Sequence, residues 1–117
     1  MQDGTPSPAL DAAARAFAAL GAPPRLAVLR LLVRAGPGGL PMGRIALATG
    51  IAAPTLTHHL KALAAAGLVT QRRAGRHIYA AIDHARVRAL SDYLLENCCA
   101  DAGCDRNDAP EAEAIHG

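Results

Sequence analysis

Cysteine occurs at three positions in this 117-residue chain, Cys98, Cys99 and Cys104, all within one seven-residue stretch near its end. Thiolates are soft ligands and also redox-active nucleophiles, so a cluster of this kind suits either a soft ion or a thiol switch. The N-terminal segment lacks a charged stretch followed by an apolar one. No run is long and apolar enough to cross a bilayer, and a cytoplasmic location is expected. In that compartment thiols stay reduced, which disfavours structural disulfides. The acids around the cluster (Glu96, Asp101, Asp105), together with the C-terminal end of a preceding helix, are expected to disfavour the thiolate form. A catalytic nucleophile needs the reverse, whereas an ion that displaces protons tolerates it, so the setting favours ligands over catalysis. No Ser/His/Asp set, carboxylate pair or phosphate-binding glycine loop appears elsewhere, and no enzyme is expected.

The cluster is attached to a strongly basic body. Residues 15–88 carry eleven cations against one acid, Asp83, hence +10 with histidines neutral, although the whole chain sums to only +2. Such a surface points to an anionic partner, nucleic acid first among them. Apolar residues make up 51% of the chain with only three aromatics, so the core must be built from Ala, Leu, Val and Ile. A single domain of this size buries little surface, and self-association would supply the remainder.

The elements that must position these groups follow from spacing. Leu10, Ala13, Ala14, Phe17 and Leu20 form an i, i+3, i+4, i+7 stripe that Gly21 ends. Pro23 opens a second helix, apolar on nearly all sides (Leu26, Val28, Leu29, Leu31, Leu32, Val33), expected to be the most buried. After the break at Gly36-Pro37-Gly38-Gly39, two short helices over about 41–49 and 53–66, joined through Gly50-Ile51-Ala52, have the layout of a helix-turn-helix. On the second of these Leu56, Leu60 and Leu63 share a face with His59, read as a satisfied core histidine. Pro54, Thr57, His58 and Lys61 point the other way, towards phosphates and base edges. Strand-like alternation over 68–71 and 77–82 flanks Arg72-Arg73-Ala74-Gly75-Arg76, a hairpin expected to crowd three arginines at its tip as a wing. A last helix over about 85–97 carries Val87, Leu90, Tyr93 and Leu94 on one stripe. This stripe and that of the first helix are expected to pair across a dimer axis.

In this order of elements the chain resembles the ArsR/SmtB family of winged-helix repressors. The stretches that carry the resemblance are Leu20-Gly21-Ala22-Pro23-Pro24-Arg25, Pro54-Thr55-Leu56-Thr57-His58-His59-Leu60-Lys61, Ala66-Gly67-Leu68-Val69 and Arg73-Ala74-Gly75-Arg76-His77-Ile78-Tyr79. Together they are specific, and the resemblance as a whole covers about residues 10–99. The resemblance implies a mainly α winged helix-turn-helix with a β-hairpin wing, a homodimer on double-stranded operator DNA, and release when an ion binds. One family site uses Cys-x-Cys before the reading helix, where this chain has Pro41 and Gly43. A zinc site on the last helix needs Asp-x-His with a later histidine or acid, and Asp83-His84 has the wrong spacing. The Cys-Cys pair with a third cysteine resembles the arsenite-responsive members.

The resemblance therefore implies As(III), and Sb(III) by the same chemistry, as inducer, with no permanent cofactor. Cys98, Cys99 and Cys104 would be the ligands, because a trivalent pnictogen takes three thiolates in a trigonal pyramid. Adjacent cysteines do not share a helical face, so the helix end would have to unwind around the ion. DNA contacts are expected from Thr55, Thr57, His58 and Lys61, with Arg72, Arg73 and Arg76 on phosphates or the minor groove. Competing readings are a redox switch pairing Cys98 or Cys99 with Cys104, a Cd(II) or Pb(II) sensor, and a winged helix serving as a protein-interaction module. The expected organisation is a disordered arm (1–8), the winged domain with dimerising end helices (9–99) and a flexible tail contributing Cys104 (100–117).

Overall fold

The computed structural model describes residues 9–102, so the expected disordered arm, Cys104 and most of the expected flexible tail lie outside the described residues. The elements run α1 (Leu10–Leu20), α2 (Pro23–Ala35), β1 (Leu40–Pro41), α3 (Met42–Thr49), α4 (Ala53–Ala65), β2 (Val69–Ala74), β3 (His77–Ile82) and α5 (His84–Leu95). The three strands form an antiparallel sheet in the order β1-β3-β2. This is a winged helix-turn-helix, with α3 and α4 as the helical pair and β2–β3 as the wing.

The core lies where α2, α3 and α4 meet the root of the sheet. Val28, Leu32, Ile45, Leu56, Leu60 and Leu63 are all fully buried, joined by Leu68, Val69, Ala80 and Ile82 from the sheet side. The leucine stripe of α4 is buried as its spacing predicts. Helix α1 departs from expectation: it buries Ala13, Ala16 and Ala19, while Ala14 is exposed and Leu10 is 70% exposed. A row of alanines lets one helix approach another closely, and the bulkier Phe17 and Leu20 pack at the rim. Helix α2 buries Val28, Leu29 and Leu32 but leaves Leu26 and Val33 exposed, so it is not covered on all sides.

Strand β1 was not expected. It comprises two residues, one a proline, pairing Leu40 with Ala80 and Pro41 with Tyr79. Gly39 permits this approach: its φ is 73°, and a Cβ there would strike the Ala80 carbonyl. The wing is also longer than expected. Strand β2 runs on to Ala74, paired with His77, so Arg72 and Arg73 lie within the strand and only Arg76 sits in the turn.

Helix α5 starts from Asp83, whose Oδ1 accepts the Arg86 backbone N–H at 3.1 Å. The carboxylate is thus an N-cap. The helix stops at Leu95, two residues earlier than expected, with Asn97 in the left-handed region at φ 63°. Of its stripe, Leu90 is buried, Val87 and Tyr93 are partly so, and Leu94 stays exposed beside Leu95. No single helix among the described residues is long and apolar enough to cross a membrane.

Candidate nucleic-acid interface and thiol site

The turn between α3 and α4 is fixed by local chemistry. Gly50 adopts φ 74°, and its N–H closes α3 on the Ala46 carbonyl at 2.8 Å, a left-handed helix end that favours glycine. Thr49 Oγ1 donates to the Ile45 carbonyl at 2.8 Å and accepts the Ile51 N–H at 3.3 Å, holding the chain as it leaves the helix. Helix α4 then begins after Ala52, which has no side chain able to cap it, and Pro54 contributes no N–H. The first-turn N–H groups of Ala53 and Thr55 therefore have no side-chain cap, an arrangement suited to a phosphate oxygen.

Thr55, Thr57, His58 and Lys61 are all exposed on α4, on the side away from its leucine stripe or flanking it. Thr57 Oγ1 donates to the Ala53 carbonyl at 3.0 Å, which leaves its lone pairs free to accept from a base edge. His59 is half-buried at the edge of the stripe, where its Nδ1 accepts the Arg25 Nε–H from α2 at 3.1 Å. Burial, then the Arg25 charge, then His58 hold the His59 imidazole below its ordinary titration range. It is neutral at pH 7, with its proton on Nε2.

Helix α4 packs against β2, so the wing is set beside the reading helix. The three wing arginines differ. Arg72 faces its cross-strand partner Tyr79, with its guanidinium carbon 4.6 Å from the ring centroid, and donates from Nη2 to the Gly38 carbonyl at 3.3 Å. It ties the wing to the loop before β1. Arg73 and Arg76 are exposed, Arg76 next to Gly75 in the two-residue turn. A guanidinium has five N–H donors, so Arg72 retains donors for a phosphate after these contacts.

At the other end of the chain, residues 96–102 form successive turns: Cys98 N–H donates to the Leu95 carbonyl at 2.9 Å and Ala100 N–H to the Asn97 carbonyl at 3.0 Å. Cys99 is left-handed at φ 64°, and the two exposed sulfurs stand 3.6 Å apart. This corrects the expectation that the helix must unwind to bring them together. The helix has already ended at Leu95, and the left-handed turn places both thiols side by side. Among the described residues no group of three or more His, Cys, Asp or Glu side chains is placed to hold a metal, and Cys104 lies outside them.

Spacing alone did not reveal the Arg25–His59 bond, which joins residues 34 apart, nor the Arg72–Tyr79 stack, which depends on strand register. A signal for the second was available in the hairpin itself, since a turn at Gly75-Arg76 sets Arg72 opposite Tyr79.

Residues 20–72 match the model of a helix-turn-helix domain family. Among solved structures, the homodimeric winged helix-turn-helix DNA-binding domain (fragment 1–100) of a possible ArsR-family transcriptional regulator from Mycobacterium bovis is 35% identical. The match covers 84% of this chain and 93% of that one, with a TM-score of 0.60. The transcriptional repressor BigR from Xylella fastidiosa is 26% identical over 82% of this chain and 90% of its own, at TM-score 0.59. A possible transcriptional regulator for arsenical resistance is 27% identical over 87% and 98%, at TM-score 0.58. No curated protein matches by sequence. Sharing both fold and 35% sequence identity with the Mycobacterium bovis domain over nearly all of that domain's length, the chain belongs to the ArsR family of winged helix-turn-helix transcriptional regulators.

Proposed function

We propose that this protein is a homodimeric repressor that holds operator DNA through α4 and the wing and releases it when As(III), or Sb(III) by the same chemistry, binds Cys98, Cys99 and Cys104. The observation that carries the ligand assignment is the pair of exposed sulfurs 3.6 Å apart at Cys98 and Cys99, close enough to share one ion. The likeness to a possible regulator of arsenical resistance supports the same reading. Arsenous acid and three thiols exchange three As–O and three S–H bonds for three As–S bonds and release three waters. No electrons are transferred, and neither imidazole nor carboxylate is needed.

On the DNA side, Thr55, Thr57, His58 and Lys61 would meet base edges and phosphates, Arg73 and Arg76 the flanking backbone, with Arg72 shared between that task and holding the wing. Dimerisation through α1 and α5 is supported by exposed Leu10, Leu94 and Leu95 on those helices and by the homodimeric state of the Mycobacterium bovis domain. An ion bound just past α5 would then act at the element proposed to join the protomers, altering the separation of the two reading helices.

Counting thiols tests the ligand set. The reduced protein is mixed with one equivalent of arsenite per protomer and its free thiols are titrated with a chromogenic reagent. Loss of all three is expected. Loss of two would restrict the site to Cys98 and Cys99, and three reactive thiols would refute an arsenite site.

A further inference from the structure

The leucine stripe of α4 sets which face of the reading helix is buried, and a hydrogen bond, being directional where apolar burial is not, adds a finer constraint on the roll of the helix about its axis. Among the described residues, one side-chain hydrogen bond ties α4 to another helix: Arg25 Nε–H, in the first turn of α2, to His59 Nδ1 at 3.1 Å. His59 lies next to the stripe and directly follows His58, with the two rings 5.9 Å apart between centroids. A roll of α4 that broke the Arg25 bond would therefore also swing Thr57, His58 and Lys61.

The bond also requires one protonation state. An imidazole accepts at Nδ1 only when neutral, and as a cation it presents N–H to the Arg25 guanidinium, donor against donor and charge against charge. Two charged or titratable groups act on it, Arg25 from α2 and His58 from its own helix, and both disfavour the cation.

We infer that Arg25 and His59 are a positioning pair for DNA reading: their bond fixes the roll of α4, and protonation of His59 releases it and weakens operator binding. This inference rests on the operator-binding reading and adds to it residues that touch no DNA. Because binding and protonation are linked, operator binding must in turn make His59 harder to protonate.

The test compares the full-length reduced wild type with His59→Asn, in which Asn Oδ1 can take the acceptor position without titrating. Affinity for labelled DNA from upstream of the gene is measured by fluorescence anisotropy at fixed salt. Dividing the two pH profiles removes the contributions that the two proteins have in common. Relative to the variant, wild-type affinity is expected to fall between about pH 7.5 and pH 5.5, by at most about tenfold per protomer, the limit for an imidazole titrating at the ordinary value of 6.5, since each protomer must exclude one proton. Superimposable profiles would overturn the inference. NMR titration of the His59 imidazole in the wild type, with and without DNA, gives a second reading that needs no variant. A lower pKa in the complex is expected, and an unchanged or higher one overturns the pair. Failure to bind DNA even near pH 7.5 would refute the operator reading itself, and the inference with it.

Discussion

Substituting Arg72 and Arg76 one at a time separates two roles of arginines on the same wing, one within β2 and one in the turn. Arg72 stacks on Tyr79 at 4.6 Å and donates to the Gly38 carbonyl at 3.3 Å. An exposed cation–π contact contributes about 0.5–1 kcal/mol and a solvated hydrogen bond about as much, so Arg72→Ala is expected to cost about 1 kcal/mol. For a domain of this size that lowers the melting temperature by about 4–8 °C. Arg76, exposed in the turn, makes no such contacts among the described residues, and Arg76→Ala is expected to leave stability unchanged. If Arg76 meets one phosphate per protomer, its loss reduces the slope of log affinity against log salt by about 0.9 per chain, about 1.8 for a dimer. Circular dichroism melts report the first quantity, and anisotropy on operator DNA across a salt series reports the second. The reasoning is refuted if Arg72→Ala melts like the wild type, or if Arg76→Ala keeps the full salt slope.

Four further outcomes are expected. Leu60→Ala removes a fully buried side chain from the reading helix and should cost about 2–5 kcal/mol, read by denaturant unfolding. Asp83→Ala removes the cap of α5 and should cost about 1 kcal/mol in the same assay, with the Asp83→Asn variant close to wild type. Cys99→Ser should leave operator affinity unchanged while abolishing release by arsenite in an anisotropy titration. His59 titrates below its ordinary range in the folded chain, so the unfolded chain takes up that proton first. Its contribution to stability is therefore complete above about pH 6.5 and is lost as the pH falls from there through the lowered value, and His59→Asn should flatten that part of the stability–pH curve.

The parts of the fold that were legible in the sequence rest on strong local chemistry. Gly50 marks the turn, Leu56, Leu60 and Leu63 mark the buried face of α4, and β3 occupies 77–82 as its alternation predicts. The parts that were not legible depend on partners distant in sequence. Strand β1 exists only because Gly39 allows the chain to lie against β3, and two residues carry no period of their own. In α1 alanines occupy nearly every face, so the spacing of Leu10, Phe17 and Leu20 suggested one stripe while packing selected another. Strand β2 extends through two arginines because β3 pairs with it, not because arginine favours strands.

For the candidate site, residue types were legible but their arrangement was not. The three cysteines are conspicuous by composition, yet whether Cys98 and Cys99 can share an ion depends on where α5 ends, and helix ends are set by small differences in propensity. The left-handed Cys99 stands with the two sulfurs side by side, a local geometry that no periodicity announces. The reading-helix side chains followed directly from the helical wheel. The distinct role of Arg72 required the register of the wing.

The central claim, that ion binding at the thiols releases DNA, is tested most directly by anisotropy of the reduced protein on labelled DNA from upstream of its own gene, titrated with arsenite. Release near one equivalent per protomer, with no release by the same concentration of zinc, is the predicted result. A complex that persists through saturating arsenite while the protein still binds its operator would contradict it, and release only after oxidation would assign the thiols to a redox switch.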